Sequence, residues 1–252
     1  MIDILYIVGT KSQWGNNELR YSLRSIAKYG KGIRNVIVAG YVPRFVNRET
    51  CVCLDIKDRT QVKHWNILNT IIEVCRKYDI TDDFLLSADD HFYFRDTDFD
   101  KYPIYTRGEL PVPEDFTSVG KNMTPYRTTL CNTRALLEKY GYPTLRYCWH
   151  GNTHLNRSLI LSPEFQTLAK EANTMPEGCE PTCLVLNVLR KQRKFKAVER
   201  EDGKLYNAQA GEQAIDSILA DRECLSATNE IGGTPFHDYL AAAFPKKCKY
   251  EV

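Results

Sequence analysis

The sequence predicts an α/β fold with a mainly parallel sheet that is covered by helices on both faces. In the first ninety residues, short apolar runs alternate with segments whose apolar residues recur at helical spacing. The apolar runs are continuous, which is typical of strands that are buried on both faces. The order strand, helix, strand, strand, helix, strand indicates parallel strands joined by crossover connections.

Four apolar runs predict the strands of this sheet, at residues 3–8, 35–40, 51–56 and 84–88. The segment 16–29 predicts the first helix, with Asn16 or Asn17 as its N-cap and Gly30 as its end. A second helix is predicted at 62–77, where a tryptophan, two aliphatic residues and a cysteine fall on one face.

The second half of the chain has weaker periodicity. Residues 95–125, rich in proline and acidic residues, predict a long excursion over the sheet, and 145–149 resembles a strand. Further elements are predicted as helices at 132–140, from 162, at 180–192, at 211–220 and from 234 to before 245, and as a strand at 223–228. Since no repeat or linker interrupts the chain, we predict one domain of residues 1–252.

Composition disfavours several classes of protein. The net charge of the 252 residues is only +2, so nothing indicates a dedicated nucleic-acid or membrane binder. No apolar run approaches the ~18 residues of a membrane helix, and the initial “MIDILYIVG” is typical of a strand. Nine scattered cysteines without a CxxC pair predict reduced thiols in a cytoplasmic protein. The absence of Walker A, GxGxxG and GxSxG motifs disfavours the common NTPases, dinucleotide enzymes and serine hydrolases.

Two adjacent acids follow the fourth predicted strand in “LLSADDHFYF”. Ligands of open α/β sheets bind beyond the carboxyl ends of strands, and paired carboxylates there suit a divalent ion that also binds a diphosphate. The alternative is a polar turn with both acids solvated. The buried run before Asp89 and Asp90 favours the functional interpretation, because it brings the acids to a sheet edge inside the molecule.

Arginine pairs and histidines supply further candidates. Arg20 and Arg24 lie four residues apart on one helix face and suit phosphate oxygens, although most helical arginines are only solvent-facing. “HGNTH” places His150 and His154 four apart without the helical zinc motif, so each is a candidate general base or a structural histidine. The basic run 190–196 is most often a solvated helix end, or else attracts an anionic acceptor.

Several segments together resemble the Stealth proteins, which are hexose-1-phosphate transferases. The matching segments occur in the family's order over nearly the whole chain: “NNELRYSLRSIAKYGKGIRNVIVAGYVPRFV”, “DFLLSADDHFYF”, “YRTTLCNTRALLEKYG”, “RYCWHGNTHLNRSLI”, “RECLSATNE” and “PFHDYLAAAFPKKCKYE”. Departures also occur, because the opening block lacks the family's aspartate, and Ala88 and His91 stand where the family has asparagine and methionine. Asn229–Glu230 stands where Asn-Asp is usual.

The resemblance implies a GT-A-like fold and an enzyme that uses a nucleotide-diphosphate sugar, with a UDP-sugar as the expected donor. An acceptor hydroxyl, on a glycan or a modified nucleobase, would attack the sugar-proximal phosphorus. Asp89 and Asp90 would bind Mn²⁺ or Mg²⁺. Arg20, and after it Arg24, would hold the phosphoryl oxygens. His150 would be the base and, placed after the strand-like 145–149, would emerge at a sheet end.

The remaining expectations concern the donor and the halves of the domain. His154 and His91 are the second choices for the base. Residues 1–94 are expected to bind the nucleotide sugar, and residues 95–252 to bind the acceptor. The other residues expected at the nucleotide sugar are Val8, Gly9, Thr10 and Asn132. Two alternatives stay open, namely a plain glycosyltransferase, including a phage-encoded one that acts on a modified nucleobase, and a non-catalytic module that binds sugar nucleotides.

Overall fold

A computed structural model describes residues 1–201, 203–227 and 230–252 of the chain. The strands are β1 (Ile2–Val8), β2 (Gly30–Lys31), β3 (Ile33–Gly40), β4 (Val52–Asp55), β5 (Asp83–Ser87), β6 (His91–Tyr93), β7 (Thr97–Asp98), β8 (Ile104–Thr106), β9 (Thr153–Asn156), β10 (Ala197–Glu199), β11 (Lys204–Leu205) and β12 (Cys224–Ala227). The helices are α1 (Asn17–Tyr29), α2 (Lys63–Lys77), α3 (Glu114–Thr117), α4 (Pro125–Lys139), α5 (Arg157–Leu161), α6 (Pro163–Ala172), α7 (Pro181–Gln192), α8 (Glu212–Leu219) and α9 (Pro235–Ala243), with a 3₁₀ turn at Phe99–Lys101.

The central sheet confirms the predicted α/β class. Its strand order is β4-β3-β1-β5-β9, in which the first four strands are parallel and β9 runs antiparallel to β5. The chain leaves β1 for β3 on one side and later returns with β5 on the other side. The point between the carboxyl ends of β1 and β5 is therefore the topological switch point, where such sheets bind ligands.

Alternate residues of β1 explain why both faces of the sheet are covered. Ile4 and Tyr6 pack into a cluster with Leu23 of α1. Leu5 points the other way and packs into a larger cluster with Leu68 of α2 and the apolar faces of α4 to α7. Since side chains of a strand alternate between its two faces, a continuous apolar run is the pattern that two helical layers require.

The second half of the chain departs from the predicted boundaries. Helix α4 begins at Pro125, seven residues before the predicted start at 132, and the side chain of Thr124 caps it by accepting from the backbone N–H of Arg127 (3.3 Å). The predicted strand at 145–149 is wrong, because this segment is irregular and the strand is β9, which starts at Thr153. Leu145 forms a single antiparallel bridge with Glu109, and backbone hydrogen bonds join Arg146 to Arg107 and Gly108. This pairing is too short to make a strand, and the sequence pattern does not reveal its length.

A smaller sheet of β11, β12 and β6 lies beside the central one. Strand β12 pairs antiparallel with β6, so that Ser226 stands opposite His91. Helices α8 and α9 cover this sheet through a third apolar cluster that contains Phe92, Leu225 and Phe236. In the parts of the chain that the structure describes, no helix combines the length and the apolar character that crossing a membrane demands.

Candidate functional site

A cavity of about 760 Å³ opens at the switch point of the central sheet. Its wall contains the ends of β1 and β3, the first turns of α1 and α2, the loop before α2, and the two acids after β5. The lining residues that matter to the argument are Val8, Gly9, Thr10, Ser12, Asn16, Glu18, Gly40, Arg59, Lys63, Asp89 and Asp90. The structure thus brings together five residues that the sequence predicts for one site, namely the strand end and both acids.

The two acids occupy the middle of a tight turn between β5 and β6. The backbone N–H of His91 donates to the carbonyl of Ala88 (3.4 Å), and the N–H of Ala88 donates to Nδ1 of His91 (3.3 Å). The carboxylate of Asp90 accepts from the hydroxyl of Ser226 at 2.7 Å. The acids therefore form the turn of the alternative interpretation, but they line a cavity and one of them is fixed by a buried serine.

The carboxylates of Asp89, Asp90 and Glu18 form an acidic wall of the cavity, and they repel one another. Burial, and then the carboxylates of Asp90 and Glu18, raise the pKa of Asp89 to about 7, while Lys63 acts in the opposite direction. Glu18 is buried in the first turn of α1, and both of its oxygens lie within 3.0 Å of the hydroxyl of Ser12. Carboxylates that are held close together favour protonation of one of them. A cation bound beside them would remove the repulsion between their charges.

Another part of the lining carries Lys63 and the start of α2, with Asp58 and Arg59 in the loop before this helix. Helix α2 starts at Lys63, has no side-chain N-cap and has no acidic residue in its first turn. The amide of Asn66 holds the preceding loop, since its Oδ1 accepts from the backbone N–H groups of Arg59 (3.1 Å) and Thr60 (3.2 Å). Because a helix N-terminus carries a partial positive charge, this wall suits an anion such as a phosphate group.

The end of β1 approaches its neighbour closely at the cavity. Gly40 has a φ of +98°, and a Cβ at this position would lie 2.4 Å from the carbonyl oxygen of Val8. A side chain at position 40 would therefore both strain the backbone and push β3 away from β1. The close approach keeps the floor of the cavity, Val8 to Thr10, open to a ligand.

Arg20 and Arg24 do not line the cavity, which departs from the sequence-based expectation. Both guanidinium groups pair with Glu251, at 2.9 Å from Arg20 and 2.7 Å from Arg24, and Arg24 also donates to the carbonyl of Phe244. Burial acts to raise the pKa of Glu251, but hydrogen bonds from Arg24, the backbone and Arg20 lower it. The arginines share a helix face as predicted, and the group they hold is a carboxylate from the carboxyl-terminal segment.

The three histidines that the sequence nominates as a base, His91, His150 and His154, lie in different surroundings. His154 is on β9 and its Nε2 donates to the carbonyl of Tyr102 at 2.6 Å, next to a second cavity of about 530 Å³. Burial lowers its pKa, and His154 is not among the residues that line the 760 Å³ cavity. His91 is buried inside the turn of the two acids.

His150 comes three residues before β9 and is absent from the residues that line the 760 Å³ cavity. Since β9 is antiparallel to β5, its first residue, Thr153, pairs with Leu86 near the carboxyl end of β5. His150 therefore belongs to the same edge of the sheet as Asp89, although the predicted strand before it does not exist. Its carbonyl lies 3.9 Å from the thiol of Cys224, two residues before the serine that binds Asp90.

Asn132 also lies away from the cavity wall. Its amide nitrogen donates to the carbonyls of Pro176 (2.6 Å) and Gly178 (3.1 Å), which tie the loop before α7 to α4. Asn229, part of the closing block of the resemblance, lies outside the described residues.

Four residues of the site escape the sequence-based prediction. Asn16 and Glu18 could have been predicted, because they lie before and within the first turn of α1, which follows the end of β1. Lys63 stands where the chain enters the helix after β4, a position that parallel topology brings to the same edge as Asp89. Ser226 carries no local signal, because it reaches Asp90 from 136 residues away.

Within the described ranges, no group of three or more histidine, cysteine or acidic side chains is arranged to hold a metal ion. Asp89 and Asp90 alone therefore offer two carboxylates, and a divalent ion bound there needs further oxygen ligands. Mg²⁺ and Mn²⁺ usually obtain such ligands from substrate phosphates and water.

Comparison with known proteins adds little to this geometry. No protein-family model and no curated protein matches the chain. Among solved structures, the crystal structure of HddC from Yersinia pseudotuberculosis is similar with a TM-score of 0.34 and 11% identity, over 64% of this chain and 79% of that chain. At this TM-score the likeness carries no argument about function. The resemblance to the Stealth proteins is not confirmed by these comparisons.

Proposed function

We propose that the protein is a transferase that uses a nucleotide-diphosphate sugar, with a UDP-sugar as the expected donor. The observation that carries the proposal is the pair Asp89–Asp90 at the switch point, in a cavity that Lys63 and the start of α2 also line. A diphosphate bridged to a cation matches this set of charges, because the cation suits the acids and the phosphate oxygens suit Lys63 and the helix N-terminus.

The donor set at the acids fits a divalent ion. The pKa of Asp89 is raised by burial and by the neighbouring carboxylates, so a cation between them replaces repulsion by attraction. A bound Mn²⁺ or Mg²⁺ supplies Lewis-acid neutralisation of the diphosphate. Asp89 and Asp90 would hold it, and Ser226 keeps the carboxylate of Asp90 in place.

The chain's own residues then divide the work. Lys63 and the start of α2 hold phosphate oxygens on which negative charge builds. His150, at the same sheet edge as Asp89, takes the proton of the acceptor hydroxyl as that oxygen forms its new bond. All the residues that line the cavity lie within 1–94, and we propose that this part of the chain binds the donor and that 95–252 bind the acceptor.

Two reactions are compatible with these roles. In sugar-1-phosphate transfer, which the sequence resemblance favours, the acceptor oxygen bonds to the sugar-proximal phosphorus and a nucleoside monophosphate leaves. In glycosyl transfer, the oxygen bonds to the anomeric carbon and a nucleoside diphosphate leaves. The nucleotide released therefore distinguishes the reactions.

The test is incubation of the protein with a panel of nucleotide sugars, Mn²⁺ and candidate glycan or nucleobase acceptors, followed by chromatography of the nucleotides. We expect release of a nucleoside monophosphate or diphosphate that is abolished in Asp89→Asn and Asp90→Asn. Asp96→Asn is the matched control, because Asp96 is exposed and pairs only with Lys31 among the described salt bridges. Binding of a sugar nucleotide without any release would contradict the enzyme and favour a binding module.

A further inference from the structure

Asn16 combines three energetically unfavourable features at the wall of the cavity. Its backbone is left-handed, with a φ of 58°, although it is not glycine. It occupies the N-cap position of α1, but its side chain makes no capping hydrogen bond. Its amide oxygen is buried and has no hydrogen-bond partner, while the residue as a whole is 7% exposed. A buried polar atom without a partner in a native fold calls for a physical explanation.

The surrounding loop leaves the amide oxygen of Asn16 without a partner inside the protein. The backbone N–H of Asn16 donates to the hydroxyl of Ser12 at 2.8 Å, and Ser12 is in turn bound to the carboxylate of Glu18. These contacts fix the left-handed turn and direct the side chain away from the backbone N–H groups that an N-cap would bind. The strain and the orphaned oxygen are thus built into the loop, and such strain is concentrated at functional sites.

We propose that Asn16 binds a hydroxyl group of the nucleotide sugar, an inference that rests on the proposed function. Asn16 lines the cavity together with Glu18 and Asp89, and the carboxylate of Glu18 is close enough to Asp89 to raise its pKa. That acidic wall repels a free phosphate oxygen, whereas a neutral hydroxyl group is accepted there. A hydroxyl group both donates and accepts, so it satisfies the amide whichever way its oxygen and nitrogen are turned.

The test separates the side chain from the backbone by two substitutions. Asn16→Gly removes the amide and suits a left-handed backbone, so its melting temperature should stay close to that of the wild type. Asn16→Ala removes the same amide but keeps the strain, so it should be less stable than Asn16→Gly. We expect both variants to bind the donor about tenfold more weakly by calorimetry, the change that corresponds to loss of one hydrogen bond.

The ligands in the calorimetry locate the hydroxyl group. UDP and UDP-glucose are compared in the presence of Mn²⁺. An equal loss of affinity for both places the contact on the uridine diphosphate part, whose hydroxyl groups are those of the ribose, and a loss confined to UDP-glucose places it on the hexose. Either pattern supports the proposal.

Glu177 provides the matched control, because it is the other non-glycine residue with a positive φ (61°) in the described chain and it does not line the cavity. Glu177→Gly should leave affinity unchanged. Wild-type affinity in Asn16→Gly overturns the proposal, whatever the turnover. Binding without turnover by the wild type contradicts only the enzymatic function, and absence of any binding overturns both.

Discussion

Replacement of Asp89 by asparagine should stabilise the free protein, and by more at high pH than at low pH. Burial, Asp90 and Glu18 raise the pKa of Asp89 from its ordinary 3.8 to about 7. Between these values the folded chain keeps a proton that the unfolded chain has lost. The unfolded state then binds fewer protons, so the free energy of unfolding falls as the pH rises through this window and stays low above it.

The size of the effect follows from the distance between the two pKa values. The interval from 3.8 to about 7 corresponds to an upper limit of about 4 kcal/mol at about 1.36 kcal/mol per pH unit. Solvent reaches part of Asp89, and Asp90 shares the repulsion. We therefore expect the gain of Asp89→Asn to be larger by about 1–2 kcal/mol at about pH 8 than at about pH 4.

The assay is urea unfolding of the wild type, Asp89→Asn and Asp96→Asn at both pH values in the presence of a chelator. The gain is the free energy of unfolding of Asp89→Asn minus that of the wild type. Comparing this gain at the two pH values removes any effect of the asparagine that does not depend on pH. Asp96→Asn should show little change at either pH, since its pair with Lys31 is exposed. A gain that is no larger at the higher pH would refute the reasoning about repulsion. Mn²⁺ in place of the chelator should stabilise the wild type and leave Asp89→Asn nearly unchanged.

Three further predictions concern the other charged groups. Glu251→Gln leaves Arg20 and Arg24 without their counter-charge, so urea unfolding should show that the free energy of unfolding falls by about 3 kcal/mol, while turnover per folded molecule is preserved. Weaker nucleotide binding at unchanged stability would instead support a phosphate role for the two arginines. Lys63→Met should weaken UDP binding about tenfold in calorimetry, since a hydrogen bond to a charged group is lost, and unchanged affinity would exclude Lys63 from the phosphate site. His150→Ala should lower turnover roughly 10²–10⁴-fold at unchanged donor affinity, whereas a structural histidine would lower the melting temperature and spare turnover.

The parts of the fold that were predicted correctly depend on local patterns. Strands β1 and β5 and helices α1 and α2 follow from apolar periodicity, and the position of Asp89 and Asp90 follows from the end of a buried run. Parallel topology then places the carboxyl ends of β1 and β5 at one edge of the sheet. The position of Val8 to Thr10 at the floor of the cavity could therefore be predicted as well.

The parts that were missed depend on partners distant in the sequence. The ion pair of Arg20 with Glu251 spans 231 residues, and nothing near Arg20 indicates that the carboxyl-terminal segment returns to α1. Strand β9 is short and is stabilised by its pairing with β5, whereas the apolar segment 145–149 has the composition of a strand but pairs only through an isolated bridge from Leu145 to Glu109. Local sequence therefore identified which residues are unusual and not what each of them contacts.

Several departures from favourable local structure meet at one cavity. Helices α4, α6 and α9 each begin at a proline and are capped by Thr124, Ser162 and Thr234, which is the favourable arrangement for a helix start. Helices α1 and α2, whose first turns line the cavity, have no side-chain cap, a property that they share with α3, α7 and α8 away from it. At the cavity, this feature is joined by the left-handed backbone of Asn16 and by the like charges around Asp89. Each departure costs stability in the free protein, and the proposed donor would relieve it by bringing a cation to the acids, phosphate oxygens to α2 and a hydroxyl group to Asn16. Because binding would remove these costs, we expect the donor to raise the free energy of unfolding of the protein.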